Sequence, residues 1–212
     1  MTRSIVTQDV VRAAARRGRA IRVGPEDAVA PGARALAEAL GVRIEREGAD
    51  PPSGALTLVV GSDHAGFVLK EELKTWLSQK GYAVRDVGCH STEAVDYPDY
   101  ARALAEMVAR GEAWRGIMVD GAGIGSAMVA NKVAGVRAAP CYDLSTARNA
   151  REHNDANVLT LGGGLIGAAL ARQIVELWLA TEFAGGRHAR RVEKINALDV
   201  ARAGTSRRDD RG

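Results

Sequence analysis

The stretch VDGAGIGSAMVANK (residues 119–132) decides how this chain folds. An apolar run, GIMV at 116–119, ends at Asp120, and three glycines follow before a helical pattern begins. A buried strand that turns through glycines into a helix is typical of α/β proteins, in which helices cover both faces of a parallel sheet. The same alternation is therefore expected on both sides of this stretch.

From Leu56 onward, strand and helix patterns do alternate. Apolar runs predict five strands, at 56–62, 82–88, 115–120, 135–140 and 157–162. Helical patterns lie between them, near 65–80, 98–112, 124–133, 143–151 and 167–181, and a last helix covers about 189–203. Ligands of parallel sheets bind beyond the carboxyl ends of the strands. The residues that follow each strand are therefore the candidates for a functional site.

Residues 1–46 form a short unit with a pattern of their own. Two helical runs, the second beginning at Pro31, are each followed by a strand-like run, which predicts a small N-terminal α/β extension. Segment 47–55 is rich in proline, glycine and charge and has the composition of a linker. Residues 56–203 then form the main domain, and the tail 204–212 is expected to be disordered.

Composition excludes several classes of protein. In 212 residues there is no apolar run of the roughly 18 residues that a membrane span needs, and the N-terminus lacks the apolar core of a secretory signal. Cys89 and Cys141 are the only cysteines, which predicts reduced thiols and a cytoplasmic protein. The net charge is only +3 and aromatic residues make up 4%, which argues against a nucleic-acid surface.

The glycine loop does not fit a nucleotide site. Phosphate loops of NTPases require GxxxxGK[ST], and Lys132 lies too far along the chain. The run GAGIGSA (121–127) is close to the dinucleotide pattern GxGxxG, but that pattern belongs after the first strand of a βαβ unit. What the loop offers is backbone N–H groups at Gly121, Gly123 and Gly125, which can hold an anion or a developing oxyanion.

Polar residues also follow the first predicted strand. Asp63 and His64 stand side by side there, and a carboxylate beside an imidazole suits acid–base chemistry or the recognition of sugar hydroxyls. The alternative is that Asp63 only caps the next helix. His153 and Asn154 precede the fifth strand, where they form either part of a site or a structural pair.

A basic cluster marks the start of the last helix. Arg187 and Arg191 are four positions apart, so that their guanidinium groups share one helix face and can clamp a phosphate. The alternative is a solvated basic cap. Together with the strand-end residues, this cluster predicts a small ligand that carries a phosphate and several hydroxyl groups.

Five motifs, taken in order, resemble the ribose-5-phosphate isomerase B / galactose-6-phosphate isomerase family over about 56–200. These motifs are SDHAGFVLKEELKTWL, DYPDYA, GAGIG with ANKVAGVRAA, REHNDANVLTLG and EFAGGRHARRVEKI. The resemblance implies a Rossmann-like α/β/α sandwich with a five-stranded parallel sheet. It also implies a homodimer or homotetramer with sites between subunits. The implied reaction is aldose–ketose isomerisation of a phosphorylated sugar, such as ribose 5-phosphate, through a cis-enediol without metal or cofactor.

The resemblance also assigns roles to individual residues. His153 opens the sugar ring, and the amides of the glycine loop (Gly121, Gly123 and Gly125) stabilise the enediolate. Asp63 and Asn154 hold sugar hydroxyls. The phosphate is bound by His64, Arg187 and Arg191, with both arginines reaching across from the partner subunit. Further substrate contacts are expected at Tyr97, Ala122 and Ser126.

The chain departs from the family pattern at several of these positions. Asp120 stands where the ribose enzymes carry a cysteine base, and Ala122 where they carry a threonine. Ser126 takes the place of a glutamate base found in another branch, and Gly164 that of a common arginine. Asp120 is therefore either a substitute base or the mark of a non-catalytic or partner-dependent subunit, as in the A subunit of galactose-6-phosphate isomerase.

Residues 1–46 lie outside this resemblance. They are similar to short N-terminal extensions on enzymes packed inside bacterial microcompartments, which implies docking, adaptor or targeting roles and a shell protein or second subunit as partner. The alternative is that the extension packs on its own main domain.

Overall fold

The computed structural model describes residues 5–16, 21–23, 28–40, 42, 44–46 and 56–209. The chain divides into two compact units, one of residues 1–54 with 183–186 and one of 55–182 with 187–212. The predicted linker at 47–55 lies outside the described residues. Within the described part, no helix has the length and apolar character needed to cross a membrane.

The N-terminal unit is built from two similar halves. The first contains β1 (Ile5–Val6), α1 (Gln8–Arg16) and β2 (Ile21–Val23), and the second contains β3 (Ala28–Val29), α2 (Pro31–Ala39) and β4 (Ile44–Arg46). Parallel pairing joins β1 to β3 and β2 to β4, and each residue pairs with the one 23 positions later, as Ile5 does with Ala28. The sequence pattern predicted both helices but not the strands β1 and β3, which are only two residues long.

The apolar interior of this unit is small. It contains Val11, Val23, Ala33 and Ala37, and none of its buried residues is aromatic. A unit of about 46 residues buries only a small fraction of its surface and is therefore marginally stable on its own.

The second unit contains the predicted five-stranded parallel sheet. Its strands are β5 (Thr57–Ser62), β6 (Ala83–Asp86), β7 (Arg115–Asp120), β8 (Ala138–Pro140) and β9 (Val158–Gly162). They lie in the order β6-β5-β7-β9-β8, and all pairings are parallel. The chain adds β6 on one side of β5 and β7 on the other, so that the carboxyl ends of β5 and β7 meet at the switch point where such sheets bind ligands.

Helices cover both faces of this sheet. They are α3 (Phe67–Gln79), α4 (Tyr97–Ala109), α5 (Ile124–Ala130), α6 (Leu144–Glu152), α7 (Ala168–Ala180) and α8 (Ala189–Asp209). One apolar layer joins α3, α6 and α7 to the sheet around the fully buried Trp178, and the other joins α4 and α5 around Leu104 and Met118. The predicted α/β/α sandwich is confirmed. Helix α8 continues to Asp209, so that residues 204–209 are helical where we expected disorder.

Candidate active site

Three loops meet at the carboxyl edge of the sheet, after β5, β7 and β9. The Gly163 amide donates to the Asp120 carbonyl at 2.7 Å, and the Gly164 amide donates to the Gly121 carbonyl at 3.0 Å. A Cβ atom on Gly66 would overlap the carbonyl oxygen of Val119, so that only glycine allows the loop after β5 to approach β7 this closely. The glycines therefore set how closely the three loops approach one another.

The Asp120 side chain is the centre of the glycine loop. Only 4% of the residue is exposed. Its Oδ1 accepts hydrogen bonds from the amides of Ala122, at 2.8 Å, and Gly123, while its Oδ2 accepts from the Ser126 amide, at 3.0 Å, and the Ser126 hydroxyl. A carboxylate offers about four acceptor positions, so that in this state all of them are filled. Asp120 thus fixes the conformation of the glycine loop, independently of any role as a base.

Because of these hydrogen bonds, several amides and side chains of the glycine loop have partners other than the substrate that we expected. The Ala122 and Gly123 amides donate to Asp120 instead of facing a ligand. Ser126, expected as a substrate contact, is fully buried. Within the part of the chain that the structure describes, the Gly121 and Gly125 amides have no hydrogen-bond acceptor, which makes them the available donors of the predicted three-glycine set.

Two further predicted residues lie beside the loop. The ring of Tyr97 packs so closely over Gly125 that a Cβ atom there would lie 2.6 Å from the Tyr97 Cζ atom. The His64 Nδ1 atom accepts a hydrogen bond from the Val95 amide at 3.2 Å, which leaves Nε2 for a ligand. His64 is exposed, so that this nitrogen can be reached from solvent.

Asp63 is almost completely buried. Its Oδ1 accepts a hydrogen bond from the Gly66 amide at 2.9 Å, in the turn before α3. The N-cap residue of α3 is Gly66, which makes no side-chain cap hydrogen bond, so that Asp63 orders this turn and does not cap the helix. We refer to Asp63, His64, Tyr97, Asp120 and Gly125 as the carboxyl-edge group.

A second group lies at the end of α6 and the start of α8. The His153 and His188 rings stack with centroids 4.2 Å apart and planes 6° from parallel. Arg187 lies in the 3₁₀ turn Gly186–His188, and its Nε donates to the His188 Nε2 atom at 3.3 Å. Burial, followed by the charges of His153, Arg187 and Arg191, lowers the pKa of His188. These effects favour the neutral form of His188, a residue that the sequence pattern did not single out.

We refer to His153, Asn154, Arg187, His188 and Arg191 as the amino-edge group. Arg187 and Arg191 are both exposed, as a phosphate clamp requires. A cleft of about 700 Å³ opens beside His153, between α6 and α7. The residues that line the cleft include Arg148, Asn149, Glu152, His153 and Gln173.

The two groups lie at opposite edges of the sheet. Helix α6 begins after β8 at the carboxyl edge and returns to the start of β9, so that His153 lies at the amino edge. The five residues of β9 alone span about 15 Å. Among the described residues, no hydrogen bond or ion pair joins the two groups. A small ligand therefore cannot contact both groups in one chain.

Large apolar side chains surround the carboxyl edge. Val68 and Ile124 lie in the first turns of α3 and α5, and Met128 follows one turn later on α5. Leu144 begins α6, and Leu165 follows β9. All five are exposed, Met128 by 63% and Leu165 by 62%. A concentration of exposed apolar side chains around one edge of a sheet is characteristic of a protein interface.

Comparison with known proteins identifies close relatives. The sequence model of the family described as Ribose/Galactose Isomerase matches residues 58–195. Ribose-5-phosphate isomerase B of Escherichia coli is 44% identical over 145 residues, which are 68% of this chain and 97% of that protein. D-erythrulose-4-phosphate isomerase of Pectobacterium atrosepticum is 45% identical over 141 residues, which are 66% of this chain and 93% of that protein.

A solved structure shows the same fold. Ribose-5-phosphate isomerase B of Clostridium thermocellum superposes with a TM-score of 0.68 at 49% identity, over 68% of this chain and 98% of that one. The family match begins at residue 58, so that residues 1–54 lie outside it.

Proposed function

The chain belongs to the ribose/galactose isomerase family and is a sugar-phosphate isomerase, and we propose that it interconverts ribose 5-phosphate and ribulose 5-phosphate through a cis-enediol. The observation that carries the proposal is the pair of groups at the two edges of the sheet. One holds a carboxylate and a free amide at a glycine loop, and the other holds a histidine beside two exposed arginines. These are the parts that ring opening, phosphate binding and proton transfer require.

We propose further that the site forms between two copies of the chain. The opposite positions of the two groups support this, since neither edge alone supplies both a candidate base and a phosphate clamp. The exposed apolar side chains around the carboxyl edge, such as Met128 and Leu165, supply the surface that a second copy would cover. In a symmetric dimer, each carboxyl edge meets the amino edge of its partner and two equal sites form.

In this mechanism the amino-edge group binds and opens the sugar. Arg187 and Arg191 bind the phosphate across the interface from His64 of the other copy. His153 gives a proton to the ring oxygen and accepts one from the hydroxyl at C1, which yields the open-chain aldehyde. Asp63 and Asn154 hold sugar hydroxyls.

The carboxyl-edge group then moves the proton between carbons. Asp120 takes the proton from C2, electron density passes to the carbonyl oxygen at C1, and the enediolate accepts a hydrogen bond from the Gly125 amide. The proton then returns to C1 while the proton of the O2 hydroxyl passes to O1, so that the carbonyl forms at C2 and the ketose is complete. Asp120 must first release one acceptor position, and the Ser126 hydroxyl is the donor that can rotate away, because the other three donors are backbone amides.

A direct test combines turnover with isotope exchange. The purified full chain is incubated in D₂O with ribose 5-phosphate, and NMR follows both the appearance of ribulose 5-phosphate and the loss of the C2 proton signal. We expect both to occur without added metal. Turnover of a tetrose or hexose phosphate in place of ribose 5-phosphate would correct the substrate, and no exchange with any sugar phosphate would contradict the proposal.

The arginine clamp leads to a prediction about affinity. Arg191→Gln should raise the KM for ribose 5-phosphate about tenfold or more and leave kcat within a few-fold, because one charge-assisted contact of about 1.5–3 kcal/mol is lost. Arg187→Gln should lower kcat as well, since Arg187 also donates to His188 beneath His153.

Arg190→Gln is the matched control for the clamp. Arg190 is exposed on the same helix, between the two arginines, and has no role in the proposed site. Its KM should stay at the wild-type value. If Arg190→Gln and Arg191→Gln raise the KM equally, the effect is one of general positive charge and the clamp assignment fails.

For the extension, we propose that residues 1–46 target a cytoplasmic enzyme to a bacterial microcompartment shell. This is supported by its location in a compact unit that includes only residues 183–186 of the main domain. Deleting residues 1–52 should leave the melting temperature, oligomer size and KM nearly unchanged and abolish co-sedimentation with purified shells. If the deletion dissociates the oligomer or lowers the melting temperature by more than about 5 °C, the extension is structural and the targeting proposal fails.

A further inference from the structure

The Asn149 side chain contacts two residues of the amino-edge group, His153 and Asn154. It lies one helical turn before His153 on α6, and its Nδ2 atom lies 2.8 Å from the His153 Nδ1 atom. The orientation of the amide is supported from the other side, where Asn154 Nδ2 lies 3.3 Å from both the Oδ1 atom and the backbone carbonyl oxygen of Asn149 and donates to them. Nδ2 is therefore the Asn149 atom that faces the imidazole, and it can only donate.

A donor at Nδ1 determines where the imidazole carries its proton. Neutral histidine has one N–H and one acceptor nitrogen. Since Asn149 donates to Nδ1, Nδ1 is the acceptor and the proton is on Nε2. The tautomer of His188, the second ring of the stack, is determined in the same way, because the Arg187 Nε–H group donates to the His188 Nε2 atom.

We infer that Asn149 is a positioning residue that holds His153 in the Nε2–H tautomer, so that the proton needed to open the sugar ring is presented from Nε2. This inference rests on the proposed function. The side chain lines the same cleft as His153, and the ring plane is held against His188, so that both the orientation and the tautomer of His153 are determined before substrate binds. The Glu152 carboxylate lies 3.8 Å from His153 Nε2, on the side where the proton is held.

The inference is tested by an isosteric substitution that reverses the polarity of the contact. In Asn149→Asp, a carboxylate oxygen replaces the donor, and it accepts the proton from Nδ1 instead. The chain has only four histidines, so that nitrogen-15 NMR resolves each imidazole, with His153→Gln used for assignment. We expect His153 to be protonated on Nε2 in the wild type and on Nδ1 in Asn149→Asp. The same tautomer in both proteins would overturn the inference.

Kinetics separate ring opening from proton transfer. Ribose 5-phosphate is mostly a closed ring, whereas ribulose 5-phosphate cannot close one, because its O5 carries the phosphate. Asn149→Asp should therefore slow turnover of ribose 5-phosphate by about tenfold or more, as expected for a misplaced general acid. Exchange of the C1 protons of ribulose 5-phosphate in D₂O should stay close to the wild-type rate.

Ser145→Ala is the matched control, since Ser145 lines the same cleft one turn earlier on α6. It should change neither the His153 tautomer nor either rate. Equal losses of both rates in Asn149→Asp would indicate general damage to the site and overturn the positioning role. If the wild type shows neither rate, the proposed function fails, while the NMR result still decides whether Asn149 sets the tautomer.

Discussion

Asp120→Asn should reduce the kcat for ribose 5-phosphate by about a thousandfold or more, because a general base contributes acceleration of this order. Asparagine cannot take a proton from C2. Its amide would also direct an N–H group at the backbone amides that the carboxylate now binds, those of Ala122, Gly123 and Ser126. The measurement is kcat together with C2 proton exchange in D₂O at saturating substrate, so that weaker binding does not imitate a loss of chemistry.

Two variants distinguish a role of Asp120 as the base from a role as the residue that organises the loop. Asp120→Cys supplies a thiolate base but a poor acceptor for three amides, whereas Asp120→Asn keeps one acceptor oxygen and supplies no base. If Asp120 is the base, the cysteine variant should be the more active of the two. If asparagine retains as much activity as cysteine, Asp120 only organises the loop and the base lies elsewhere.

Ser126→Ala is the control for the same hypothesis. It removes the rotatable donor and leaves the three amide contacts in place. Because the carboxylate then has a free acceptor position, activity should be retained. A loss as large as that of Asp120→Asn would contradict the release of the Ser126 hydroxyl as the step that frees the base.

Cys141 is a poor substitute for Asp120 as the base. It is fully buried after β8, and burial raises the pKa of its thiol to about 11. Its sulfur lies 3.8 Å from the Ala139 carbonyl oxygen, which it faces as a weak donor. Such a thiol is almost entirely protonated at neutral pH and is not accessible to a sugar.

The fold was predictable because its strands are continuous apolar runs. Runs such as LTLVVGS and RGIMVD have the pattern of strands that are covered on both faces, and the sheet confirms it. The two-residue strands of the extension were missed, because two residues carry no detectable period. The helical end of the chain was also missed, since its charged sequence resembles a solvated tail.

The site was predictable as a set of residues but not as an arrangement. Glycines and a carboxylate after β7 identify a loop, yet the sequence does not reveal that Asp120 uses the loop amides for its own hydrogen bonds. His188 and Asn149 were missed for a related reason. Asn149 contacts His153 from one helical turn away, and His188 contacts it by ring stacking. Neither kind of contact can be recognised from residue types in a single sequence.

The order of elements along the chain is sufficient to separate the two groups. Helix α6 connects the carboxyl end of β8 to the amino end of β9, so that His153 and Asp120 must lie at opposite edges of any parallel sheet. Five in-order motifs supported the family and the isomerase activity, and both are confirmed.

Complementation between two inactive variants shows whether each site is formed by two copies of the chain. Asp120→Asn and His153→Ala are each expected to be nearly inactive towards ribose 5-phosphate. The two variants are co-expressed with different affinity tags, and the mixed dimer is isolated by purification on both tags. One of its two sites then combines an intact carboxyl edge with an intact amino edge, while the other carries both substitutions. We expect about half of the wild-type kcat per dimer. A mixed dimer as inactive as its parents would show that the site is not shared between two copies.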